Sequence, residues 1–191
     1  DSEKVEILRL LSELLGERVS AADVVRWLDH GAGQEVERIW VIDPIDGTRG
    51  FLALRNYAIG VGVLEQRQPV AAVIGAPAYP SADRQGVIFH AQGGAAYVQP
   101  MAGGAVRRIR VSERTEPASL RVLESVEKSH SSHERGQRVL HAAGLSAAGL
   151  DRLDSMEKYA RIAAGDADLY LRLPRLFSRR PFALWDHAAG T

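Results

Sequence analysis

The segment Asp43-Pro44-Ile45-Asp46-Gly47-Thr48 is the part of this sequence best equipped to do chemistry. Two carboxylates stand three residues apart with the Ile45 carbonyl between them, a hard-oxygen set suited to magnesium. Pro44 fixes its own φ and removes a donor, which stiffens the turn. Gly47 and Thr48 follow where a helix can start, so their amides and the Thr48 hydroxyl can hold phosphate oxygens. Metal and phosphate ligands in one turn suit metal-assisted phosphoryl hydrolysis. The competing reading is a turn with ordinary capping aspartates, because Asp and Gly are common in turns. Two points count against it. Unpaired acids at the end of a buried strand repel each other unless a cation lies between them. A second acidic position, Asp186 after Trp185, lies far along the chain behind another apolar strand. Acids from distant segments that meet at one point are the usual construction of a two-metal site.

Stepping outward from these residues, the periodicity predicts the elements that deliver them. Val5, Ile7, Leu8, Leu11, Leu14 and Leu15 form one helical stripe over residues 2–15, closed by Gly16. Asp1 and Ser2 read as its N-cap, and Ser20 opens a second helix. Ile39–Ile42 is the strand that ends on Asp43. Residues 57–77 read as two strands joined by a polar turn at Gln66–Gln68. Further strands are expected around 86–90, 95–99, 106–111 and 120–124. A helix follows the polar run Lys128-Ser129-His130-Ser131-Ser132-His133, then strand, turn and helix over 150–166, and a strand at 168–174. This mixture predicts an α/β (α+β layered) fold, with a possible sub-boundary near 112–120.

Composition narrows the function classes. Lys plus Arg equals Asp plus Glu at 24 each, so no bulk field attracts nucleic acid or an acidic membrane. The absence of cysteine excludes disulfides, thiolate metal sites and a cysteine nucleophile. No stretch is apolar for long enough to span a bilayer. The opening residues are not a signal peptide, which makes a cytoplasmic or organelle-lumen setting the default expectation. Nothing in the residues sets an oligomeric state.

WVIDPIDGTRGF and WDHAAG, in that order, resemble the two signatures of the lithium-sensitive, magnesium-dependent phosphatase superfamily. That superfamily includes inositol monophosphatases, fructose-1,6-bisphosphatases and 3′(2′),5′-bisphosphate nucleotidases. Three more segments are similar to the nucleotidases in particular: GTRGFLALRNYAIGVGVLE, VEKSHSSH and LDSMEKYARIAAGDADLYLRLP. The resemblance implies a fragment of an αβαβα sandwich. It implies metal ligands at Asp43, the Ile45 carbonyl, Asp46 and Asp186 for two or more Mg²⁺, with Asp46 and Thr48 as catalytic residues. It also implies a small-molecule substrate, adenosine 3′,5′-bisphosphate, held by Gly47, Thr48, Ser131, His133, Ser155, Lys158, Arg172 and Asp186.

Taken singly, each of the last group has a plainer reading. His133 reads as a surface residue at a helix start, Ser155 as an N-cap, Lys158 as a solvated helix residue and Arg172 as a strand-end cation. Their joint occurrence in order favours the nucleotide reading. Trp40 and Trp185 are expected to be packing residues. The family's Gly-Glu-Glu segment and its water-orienting aspartate are expected upstream of the Asp43 turn and are not found there, so residues 1–191 read as an incomplete phosphatase domain. An inositol-phosphate phosphatase and a non-catalytic metal- or nucleotide-binding fragment remain the alternatives.

Overall fold

The structure is a computed structural model that describes residues 2–31, 36–126, 132–146, 148–173 and 183–191. Its compact units are Asp1–Val36 and Glu37–Thr191. In the first, α1 spans Ser2–Leu15 and stops at Gly16, whose φ of 67° suits a residue without Cβ. Helix α2, Ala21–Leu28, starts at a capping box: the Ser20 side chain accepts from the Asp23 amide, and the Asp23 carboxylate accepts from the Ser20 amide. The Ser12 hydroxyl accepts from the Val19 amide at 2.9 Å and so ties the two helices together.

The second unit holds two sheets. The first is antiparallel, with six strands in chain order: β1 (Arg38–Asp46), β2 (Ala58–Glu65), β3 (Gln68–Ala76), β4 (Val87–Gln92), β5 (Ala95–Pro100) and β6 (Arg107–Ile109). Short turns suffice between antiparallel neighbours. Gln66 and Arg67, at the β2–β3 turn, both take positive φ, as the favoured two-residue hairpin turn requires. The second sheet is parallel, with β7 (Arg121–Glu124) between β8 (Gly149–Arg152) and β9 (Leu169–Leu171). Parallel strands need crossovers; α4 (His133–Ala142) and α5 (Glu157–Ala163) provide them. The α/β layered class is therefore present, and the chain passes from one sheet to the other between Ile109 and Arg121.

One apolar core joins the antiparallel sheet to α5 and the last described segment. It contains Ala58, Ile74, Phe89, Val98, Ile109, Met156, Ala160 and Ala189. Gly60 and Gly62, two apart on β2 and so on one face, let these elements come close. A Cβ on Gly60 would lie 2.2 Å from the Met156 sulfur, and one on Gly62 would lie 2.8 Å from the Ala188 backbone.

Candidate functional site

Two carboxylates three residues apart on a regular strand would face opposite sides of the sheet. The β1–β2 ladder removes that conflict. Asp43 pairs with Gly60 and Asp46 with Ala58, so β1 carries one extra residue between them. This bulge restores the parity and turns both aspartates to one side. A short 3₁₀ turn, Leu184–Asp186, brings the third acid. One oxygen from each of Asp43, Asp46 and Asp186 lies within 4.8 Å of the others.

Their electrostatics match that crowding. The Asp43 carboxyl is pushed up to about 6, chiefly by burial and then by the charges of Asp46 and Asp186, against a hydrogen bond from the Ile45 amide. Its Oδ1 accepts from that amide at 3.2 Å. Asp46 is also raised, mainly by burial, while the Met156 amide and the charge of Lys158 oppose the rise. Three ionised carboxylates this close are unfavourable without a cation between them, so the donor set fits a divalent ion with hard-oxygen ligands. The Ile45 carbonyl accepts from the Thr48 hydroxyl at 3.3 Å. Thr48 opens the single helical turn α3, Thr48–Leu52. Gly47 before it has φ 82°, and a Cβ there would lie 3.0 Å from that of Ser155. The turn at Gly47 is thus stacked directly on the turn at Ser155.

The acids open into a cavity of about 540 Å³, whose lining also includes Thr48, Ser155, Lys158, Tyr170 and Arg172. Lys158 is only 4% exposed. Its Nζ donates to the carbonyls of Leu153 at 2.9 Å and Ser155 at 2.6 Å, and lies 5.2 Å from the centre of the Tyr170 ring. Burial pulls its ammonium down to about 8, against the nearby charges of Asp46 and Asp154. The Arg172 guanidinium approaches His187 Nε2 at 3.5 Å, and Nδ1 of the same ring meets the Tyr159 hydroxyl at 2.5 Å. Burial and the charge of Arg172 both depress His187.

Of the residues expected from sequence, the structure brings Asp43, Ile45, Asp46, Gly47, Thr48, Ser155, Lys158, Arg172 and Asp186 to one cavity. His133 is not among its lining residues. Its Nε2 bonds the Ser125 carbonyl at 2.9 Å, so it reaches the site only through Ser125, which does line it. Ser131 lies outside the described residues. Ser155 is not the N-cap of α5: Met156 holds that position without a side-chain cap, and Ser155 takes φ 71° instead. The two tryptophans are not packed away. Trp40 is 66% exposed and Trp185, on the cavity wall, is 55% exposed. Tyr170 is a lining residue that sequence reasoning missed. Its signal was the period of two, which places it on the same face of its strand as Arg172.

A profile of the inositol monophosphatase family matches residues 7–191. The chain belongs to the inositol monophosphatase family. It is 34% identical over 191 residues to 3′(2′),5′-bisphosphate nucleotidase 1 of Arabidopsis thaliana, covering 92% of this chain and 53% of that protein. It is 33% identical to 3′(2′),5′-bisphosphate nucleotidase 2 of Candida albicans, covering 94% and 56%. The chain therefore spans about half the length of these curated relatives. Solved structures share the fold. Mycobacterium tuberculosis SuhB superposes with a TM-score of 0.59 at 23% identity, over 88% of this chain and 65% of that one. CysQ of Bacteroides thetaiotaomicron, a bacterial member of the inositol monophosphatase family, gives 0.61 at 20%, over 86% and 59%.

Proposed function

We propose that this family member carries metal-binding and substrate-binding machinery of a magnesium-dependent phosphomonoesterase that hydrolyses the 3′-phosphate of adenosine 3′,5′-bisphosphate to AMP and orthophosphate. The observation that carries the reading is the meeting of three carboxylates with Thr48, Ser155 and Arg172 around one cavity, from segments up to 143 residues apart. The names of the relatives at about one-third identity support the nucleotide substrate. Residues 1–191 are then part of a phosphatase domain.

Asp43, Asp46, Asp186 and the Ile45 carbonyl would hold Mg²⁺, which supplies Lewis acidity toward the phosphate and a bound water of lowered pKa. Thr48 presents its hydroxyl at the mouth of that turn, where it can orient the water or a phosphate oxygen. Arg172 offers a planar fork of donors suited to a second phosphate. Ser155 adds a hydroxyl to the lining of the same cavity. A substrate with two phosphates uses both walls of the cavity, whereas a single phosphate uses only the acidic one.

The test is phosphate release with Mg²⁺ from adenosine 3′,5′-bisphosphate, from its 5′-phosphosulfate analogue and from inositol monophosphate. The nucleotide is expected to be the best substrate, and Arg172→Ala to weaken its binding by roughly 1.5–3 kcal/mol, as for a charged hydrogen-bond partner. Release from inositol monophosphate alone would refute the nucleotide reading. Full activity in Asp43→Asn would refute the metal assignment.

A further inference from the structure

We propose that Lys158 is a positioning residue: it locks the turn at Ser155 so that the Met156 amide is aimed at the Asp46 carboxylate. The proposal rests on reading Asp46 as a metal ligand. Lys158 is a buried cation beside the acids, and the obvious role for it is contact with a substrate phosphate. Two of its donors are directed at backbone instead. An ammonium has three N–H groups. Two of them go to the Leu153 and Ser155 carbonyls, at 2.9 and 2.6 Å, and the Tyr170 ring covers the ammonium at 5.2 Å.

The Ser155 carbonyl and the Met156 amide belong to the same peptide unit. That unit is planar, and in the trans form its C=O and N–H point in opposite directions. No cis peptide is found among the described residues. Fixing the oxygen therefore fixes the direction of the N–H. Lys158 holds the oxygen; the N–H on the other side donates to Asp46 Oδ2. The turn needs such a hold, because Ser155 has φ 71°, a region that a residue with a Cβ rarely occupies. The stacking of Gly47 against Ser155 leaves the two turns no slack in the other direction, with the would-be Cβ of Gly47 3.0 Å from that of Ser155. A hydrogen bond to a ligating carboxylate sets that carboxylate's orientation, and such partners are worth ten- to a hundred-fold in metal affinity.

The experiment measures Mn²⁺ binding to the substrate-free chain by electron paramagnetic resonance, Mn²⁺ being accepted by the same hard-oxygen sites. Lys158→Met keeps the apolar stem and removes the donors. It is expected to bind Mn²⁺ roughly ten-fold more weakly or worse. In the double variant S155G/K158M, glycine takes the positive φ without the lysine's hold. Affinity is then expected to recover toward that of the unsubstituted chain, whether or not K158M folds alone. Equal Mn²⁺ affinity in the chain and K158M would overturn the proposal and leave the metal site standing, as would a rise in substrate KM with Mn²⁺ binding intact. A double variant that binds no better than K158M, or none at all where K158M is unfolded, would also overturn it. No Mn²⁺ binding by the unsubstituted chain would overturn the metal reading and the proposal together.

Discussion

Placing a methyl group on Gly60 or Gly62 tests how closely the sheet and the site-bearing segments approach. At Gly60 the new Cβ would lie 2.2 Å from the Met156 sulfur and 2.6 Å from its terminal carbon. Ordinary contact is about 3.5–4.0 Å, so the thioether must move by more than 1 Å. Met156 is flexible, but it is 1% exposed and packed in the core against the sheet. Overpacking of this kind costs roughly 1–3 kcal/mol. At about 2–4 °C per kcal/mol for a chain of this size, Gly60→Ala should melt about 2–12 °C lower. At Gly62 the obstacle is the backbone of Ala188, with its carbonyl carbon and oxygen both at 2.8 Å. Backbone cannot rotate out of the way, so Gly62→Ala should fall at the upper end of that range or beyond. It should also disturb Asp186, two residues before Ala188. Thermal unfolding followed by circular dichroism measures both effects. Met156→Ala, which alone costs roughly 2–5 kcal/mol as a cavity, should cost less in the Gly60→Ala background, because the clash and the void offset each other. Strict additivity of the two substitutions, or a Gly62→Ala variant that melts with the unsubstituted chain, would refute this packing argument.

Two further outcomes follow from the charged groups. Asp43 must lose its proton to bind a metal, and its carboxyl is raised to about 6; Mn²⁺ affinity measured by calorimetry should therefore be level above pH 7 and fall roughly ten-fold per unit well below pH 6. The same raised value means that the Asp43 carboxyl favours the metal-free fold when protonated and loses that contribution as pH rises through about 6, so Asp43→Asn should gain melting temperature over the metal-free chain at pH 7 and not at pH 4. An affinity flat from pH 5 to 7.5 would refute the assignment. Glu157 is fully buried and accepts from Asn56 at 3.0 Å and from Arg161 at 2.8 Å; Glu157→Ala strands both donors and should lose roughly 3 kcal/mol in urea unfolding, and a loss no greater than that of a surface substitution would show the network to be slack.

What was legible in the sequence was what local chemistry dictates. Ser20 announces a helix start, Gly16 a helix end, and the apolar runs flanking Gln66–Gln68 a hairpin; the structure has each of them. The acidic turn was legible because two carboxylates beside an apolar strand have few other uses. The illegible features depend on contacts that the local pattern does not announce. The bulge between Asp43 and Asp46 exists only against β2. Ser155 reads as an N-cap from its own segment, whereas it takes positive φ with the Gly47 turn stacked against it and the Lys158 ammonium on its carbonyl. His133 was placed in the site by motif, yet its ring is occupied by the Ser125 carbonyl. Trp185 follows an apolar run and invites a packing role, but the 3₁₀ turn carries it to the cavity wall.

The site is organised around a repulsion that the fold does not relieve by itself. Each of its devices fixes a carboxylate in place while leaving its charge largely uncompensated. The Ile45 amide holds Asp43, and the Met156 amide holds Asp46. Neither is a cation, and the buried Lys158 beside them spends two of its donors on backbone carbonyls. Had the ammonium instead paired directly with Asp46, the pair would be satisfied internally and a metal ion would have to displace it. By routing the lysine through a peptide plane, the chain gains the orientation of the carboxylate without quenching its demand for a cation. The destabilising charge thus sits where a divalent ion would offset it, which would couple metal binding to the stability of the acidic turn.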